Sequence, residues 1–137
     1  MPPPDAVRLV AEYLRAQDHL AGVTVVTGVA GHPEDRPESM PLLLVESIDE
    51  SPPSRLPWAR TRRTRIGIQA WATPGADEAL RILRGALAAL YSARAVVMPD
   101  GARIDRVEAG AEPTEVPIVP ATSDAHRAVA TVEVTFR

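Results

Sequence analysis

Residues 64–92 read TRIGIQAWATPGADEALRILRGALAALYS, and the architecture turns on this stretch. Its first nine residues alternate. Ile66, Ile68, Ala70 and Ala72 fall on one side, and Arg65, Gly67, Gln69 and Trp71 on the other. A period of two over that length predicts a strand with one apolar face. Thr73-Pro74 then predicts a helix start, with Thr73 as cap and Pro74 in the first turn. Asp77 and Glu78 suit the positive end of the helix dipole, and Asp77 is spaced to pair with Arg81. Leu80, Leu83, Leu87 and Leu90 form an apolar stripe that predicts a helix as far as Tyr91 or Ser92.

Towards the end of the chain, residues 126–137 alternate in the same way. Ala128, Ala130, Val132, Val134 and Phe136 are expected inside, and Arg127, Thr131, Glu133, Thr135 and Arg137 outside. Upstream, Val7, Val10, Ala11 and Leu14 form one stripe of a helix over about residues 5–17, with Asp5 as its N-cap. A β-branched strand at 23–27 follows, then an unbroken apolar strand at 42–45. Pro99-Asp100-Gly101 signals a turn, and 103–109 a further strand, although Ile104 and Val107 alternate onto opposite faces. The predicted order is α-β-β-β-α-β-β. It implies a single α+β domain spanning 1–137, with two helices packed on one face of a mainly antiparallel sheet.

The chain has 137 residues, ample for one core and too few for two. It contains no cysteine, so disulfides, thiol nucleophiles and zinc-thiolate sites are excluded. No apolar run approaches the ~20 residues of a membrane span, and the first residues carry no basic or apolar leader, so no secretion signal is expected. All fifteen basic residues are arginine, and both lysine and asparagine are absent, which reads as a G+C-rich coding bias. The net charge of −3 argues against a general nucleic-acid binder. Of the fourteen prolines, all but Pro74 and Pro99 cluster, at 2–4, 33–41, 52–57 and 113–120, and mark loops.

Candidate chemistry is sparse. Ser123, Asp124 and His126 could form a nucleophile-base-acid set, but near neighbours in a loop rarely converge. His32, Glu34, Asp35 and Glu38 could hold a hard cation, yet their spacing matches no recognised loop. Without lysine or a glycine-rich phosphate loop, the common nucleotide sites are absent. No catalytic residue, metal or cofactor is therefore expected. The strongest local feature is the proline-rich stretch from Asp49 to Arg63, read as a long loop. It leads into Arg65 and carries Arg55, Trp58, Arg60, Arg62 and Arg63. It reads either as a solvated loop or as a contact for an acidic partner surface or a phosphate backbone, with Trp58 as anchor.

The element order resembles the tail terminator (tail completion) proteins of long-tailed bacteriophages. Three stretches carry the likeness: the N-terminal helix running through Val23-Thr24-Val25-Val26 to Leu42-Leu43-Leu44-Val45; the arginine-bearing loop, strand and helix of residues 49–90; and the strand from His126 to Arg137. The resemblance implies a non-enzymatic, homohexameric ring in the virion neck, made in the host cytoplasm. Such a ring caps the tail tube protein, stops tube growth and joins the head-tail connector protein. DNA passes through the lumen without specific binding, and no membrane is involved. Arg55, Trp58, Arg60, Arg62, Arg63 and Arg65 would then face the tube or the lumen. Two other readings stay open: a different neck component, such as a head-completion or connector protein, and a small nucleic-acid-binding α+β domain using the Arg55–Arg65 patch.

Overall fold

A computed structural model of the chain describes residues 5–27, 40–50, 62–73, 76–99, 101–116 and 125–137. Helix α1 (Ala6–Arg15) begins where the Asp5 carboxylate accepts a bond from the Val7 amide at 3.0 Å, as its N-cap role requires. Its buried face is Ala6, Leu9, Val10, Ala11 and Leu14, so Leu9 joins the expected stripe and Val7 lies at its margin. Helix α2 (Ala76–Tyr91) starts two residues later than Pro74, and Pro74 and Gly75 lie outside the described residues. Arg81 pairs back to Glu78 at 3.0 Å rather than to Asp77, because i, i+3 also brings two side chains onto one face.

The strands are β1 (Thr24–Val26), β2 (Leu42–Glu50), β3 (Arg62–Ala72), β4 (Val96–Val97), β5 (Arg103–Ala109), β6 (Thr114–Val116) and β7 (His126–Phe136). They form one sheet in the order β1-β2-β3-β7-β5-β4, with β6 also paired to β7. Only the β1–β2 pairing among them is parallel. The fold is thus α+β with a mainly antiparallel sheet, and the sequence-derived order gains the short strands β4 and β6. The expected loop of residues 49–63 is shorter than the prolines suggest, since β2 continues to Glu50 and β3 starts at Arg62. Cross-strand partners extend both strands past the point where apolar alternation ends.

Both helices lie on one face. Leu43 and Val45 of β2, Ile66, Ile68, Ala70 and Ala72 of β3, and Ala128 to Phe136 at alternate positions of β7 share one buried cluster with Leu9, Leu14, Leu83 and Leu90. Tyr13 ties the helices together by donating its hydroxyl to Ala89 O at 2.9 Å. Ile104 and Val107 are both in this cluster, against the alternation expected from sequence. The register gives the reason. Ile104 pairs with Phe136 and Arg106 with Thr135, so Asp105 is an extra residue that resets the period. A matching bulge in β2 sets Ile48 between Ser47 and Asp49, and leaves its side chain 51% exposed.

Tight connections follow from particular residues. Gly101 adopts φ +89° in the β4–β5 turn and donates its amide to Met98 O, in line with the turn read from Pro99-Asp100-Gly101. Gly110 lies at the β5–β6 corner, where its amide donates to Thr131 O at 2.9 Å and leaves no room for a side chain.

Candidate partner-binding face

The face of the sheet opposite the helices carries Arg63 and Arg65, two of the arginines singled out in sequence. Arg62, Arg63 and Arg65 open β3, while Arg55, Trp58 and Arg60 lie outside the described residues. Alternation sends Arg63 and Arg65 to the side away from Ile66 and the helices. Arg63 Nε reaches Glu133 Oε1 on β7 at 2.9 Å, with the Arg63 side chain exposed and that of Glu133 partly covered. A pair so exposed orients the guanidinium but adds little stability.

The strand order adds residues that are distant in sequence. Arg63 lies opposite Thr135, which lies opposite Arg106 on β5. One step along, Arg65, Glu133 and Glu108 form a second transverse row. Arg106 Nε meets Glu108 Oε1 at 3.0 Å. At the end of the sheet, Asp105 Oδ1 accepts from Arg103 Nε at 2.6 Å and lies 3.5 Å from Arg137 Nε. The strand end itself is closed by paired backbone bonds between Arg103 and Arg137, at 2.7 and 2.9 Å. Arg62, Arg63, Arg65, Arg103, Arg106 and Arg137 therefore share one end of the sheet with Asp105, Glu108 and Glu133. The field there is positive but interrupted by carboxylates. Arg103, Arg106 and Arg137 carry no local signal as a patch, because only the β3–β7–β5 order assembles them.

Beside these rows the face is hollowed. One depression of about 480 Å³ is lined by Ile48, Arg65, Gly110, Thr131 and Glu133, and an adjoining one of about 280 Å³ by Ile48, Gly67, Gln69 and Val129. Gln69 Nε2 donates to Glu46 Oε1 at 2.8 Å across this floor. Towards the far end, Leu42 and Trp71 are paired in register and buried. The Arg127 guanidinium stacks 5.2 Å from the Trp71 ring centroid. Such a surface can dock a protein of mixed charge. Among the described residues it brings together no nucleophile, base and oxyanion donor.

The two described histidines, His19 and His126, have separate partners. His19 Nε2 lies 3.2 Å from Gly85 O, and His126 Nδ1 lies 3.3 Å from Glu115 Oε1. Ser123 and Asp124 of the considered hydrolytic set lie outside the described residues, as do His32, Glu34, Asp35 and Glu38. Among the described residues no three potential ligands gather around a point. Displaced ionisation occurs on α2, away from the arginine rows. The Arg81 hydrogen bond holds Glu78 below the usual carboxylate range, the same contact raises Arg81, and burial lifts the Tyr91 hydroxyl. Among the described residues, no helix is long and apolar enough to cross a membrane.

No protein-family model matches the chain, and no curated protein sequence matches it. Its fold is similar to that of a chain in a solved structure described as the virion of a native gene transfer agent (GTA) particle, with a TM-score of 0.64 and 17% identity. The likeness runs end to end, over 97% of this chain and 98% of that one, so the two share the whole α+β architecture and not merely a motif.

Proposed function

We propose that the protein is a structural subunit of a phage-like virion, and within it a tail terminator. In this reading identical copies close into a hexameric ring at the virion neck. The ring seats on the last ring of tail tube protein, stops polymerisation and presents its other face to the head-tail connector protein. DNA threads the lumen without specific binding. The protein works by shape and charge complementarity rather than by catalysis. A closed ring needs only one head-to-tail interface repeated around an axis.

The observation that carries this reading is the end-to-end likeness to a chain of a virion particle. The arginine rows are its candidate contact. Arg62, Arg63 and Arg65 start the strand that follows Arg55, Trp58 and Arg60, and together these six residues are assigned to the tube or the lumen. The interleaved Glu133, Glu108 and Asp105 suit a protein surface of mixed charge better than a continuous phosphate backbone.

The test is to mix the purified protein with isolated tail tubes and examine them by negative-stain microscopy, alongside a native mass measurement. A native mass above that of the monomer and a ring-shaped density cap at one tube end are expected. Reversing Arg62, Arg63 and Arg65 to Glu should remove the cap while leaving the fold intact by circular dichroism. A strict monomer that never caps tubes would refute the reading.

A further inference from the structure

The two edges of the sheet are treated differently. At one edge β1 has three residues, and Arg15 blocks it by donating from Nε and Nη2 to Val25 O at 3.1 and 2.8 Å. At the other edge β4 covers β5 only at Arg103 and Ile104, with Ala95 donating to Asp105 O just beyond. From Arg106 to Ala109, β5 pairs with β7 on one side and with no described residue on the other. An open strand edge is a template for a further strand.

We propose that this edge pairs antiparallel with the same edge of a second copy of the chain, about a two-fold axis at Val107. Charge selects both the occupant and the register. Centred on Val107, Arg106 lies opposite the partner's Glu108, and Glu108 opposite the partner's Arg106. A centre at Arg106 or at Glu108 would set like charges face to face, which destabilises a cross-strand pair. The Arg106–Glu108 ion pair within the strand, at 3.0 Å, holds both side chains on the same face, ready for a four-membered alternating cluster. The same border offers apolar surface to cover. A cavity of about 440 Å³ lies between α2 and the β5–β6 connection, lined by Arg84, Leu87, Ala88, Tyr91, Glu112 and Pro113. Tyr91 is 40% exposed there. This contact is isologous, so it differs from the head-to-tail contact of a ring and pairs copies before any ring closes.

The test needs no tail tube. Wild-type protein, Arg106→Glu, Glu108→Arg and an equimolar mixture of the two variants are compared by sedimentation and native mass spectrometry, with circular dichroism as the check on folding. Wild type should dimerise, and each variant alone should dimerise about tenfold more weakly. The mixture should recover a heterodimer, because every charge at the edge of the Arg106→Glu chain then lies opposite a charge of the other sign on the Glu108→Arg chain. A monomeric wild type, or a mixture no tighter than its components, would overturn the proposal. A hexamer indifferent to both substitutions would also overturn it while leaving the ring reading standing.

Discussion

Gly110→Ala should be among the most damaging single-methyl additions to this protein. A Cβ at Gly110 would stand 2.7 Å from Thr131 O and 3.0 Å from Thr131 C, and would strike Thr131 Oγ1. Two of these three atoms are backbone, so no rotamer change relieves the clash. Ordinary contact begins near 3.4 Å, which means the corner must open by roughly 0.7 Å. Three hydrogen bonds cross the gap that would open. Gly110 N donates to Thr131 O at 2.9 Å, Thr131 N to Ala111 O at 3.2 Å, and Ala111 N to Thr131 Oγ1 at 2.6 Å. At about 0.5–1.5 kcal/mol net for each, the expected loss is about 2–4 kcal/mol. That is a large share of the ~5–15 kcal/mol that holds a domain together. With an unfolding entropy of about 2.1 cal/mol/K per residue, Tm should fall by roughly 7–14 °C. Urea denaturation followed by circular dichroism measures it directly. Gly22→Ala is the control, since nothing lies within 4 Å of a Cβ there, and it should stay within about 0.5 kcal/mol of wild type. Trimming Thr131 to Ala should not rescue Gly110→Ala, because the carbonyl remains in place. A Gly110→Ala protein as stable as the control would disprove this account of the corner.

Gly67→Ala should be far milder, below about 1 kcal/mol by urea denaturation, because its Cβ meets only side-chain atoms of Ile48 and Glu46, the nearest being the terminal Ile48 Cδ1 at 2.9 Å. Asp5→Ala removes the carboxylate that caps α1 and should cost about 1 kcal/mol in the same assay. Burial raises the Tyr91 pKa above 10.0 in the folded protein, so the stability it contributes is complete below the unfolded value and is lost as pH climbs through the folded one. A spectrophotometric titration should accordingly show Tyr91 ionising above its ordinary range, a step that Tyr91→Phe should abolish.

The long periodic elements could be read without coordinates. In β3, β7 and α2 the spacing of Ile, Val and Leu alone separates the buried face from the other. What escaped the reading depends on a partner strand. Ile48 and Asp105 are bulge residues only because Asp49 meets Arg65 and Arg106 meets Thr135 across the ladder. Without those partners, simple alternation turns Val107 to solvent. β4 and β6 have two and three residues, too few to show any period. The parallel pairing of β1 with β2 leaves no mark in the residue pattern of either strand. The same holds at the candidate site. Arg62, Arg63 and Arg65 announce themselves as a run, whereas Arg103, Arg106 and Arg137 join them only through the strand order.

That order also decides what the arginines can recognise. Read along the chain, the run from Arg55 to Arg65 contains no acid and looks like a phosphate-binding strip. Read across the sheet, Arg63 is held by Glu133, Arg106 by Glu108, and Arg103 and Arg137 converge on Asp105. A polyanion laid over these rows would meet a carboxylate beside Arg63, Arg103, Arg106 and Arg137. Its affinity comes from releasing counterions, and carboxylates that already neutralise the guanidinium groups leave fewer ions to release. A protein surface suffers no such penalty, since its own charges can alternate in the same register and each mismatch disfavours a wrong partner. The pattern therefore favours an interface whose partner must align, as a subunit in an ordered assembly must, over one that slides along a uniform backbone.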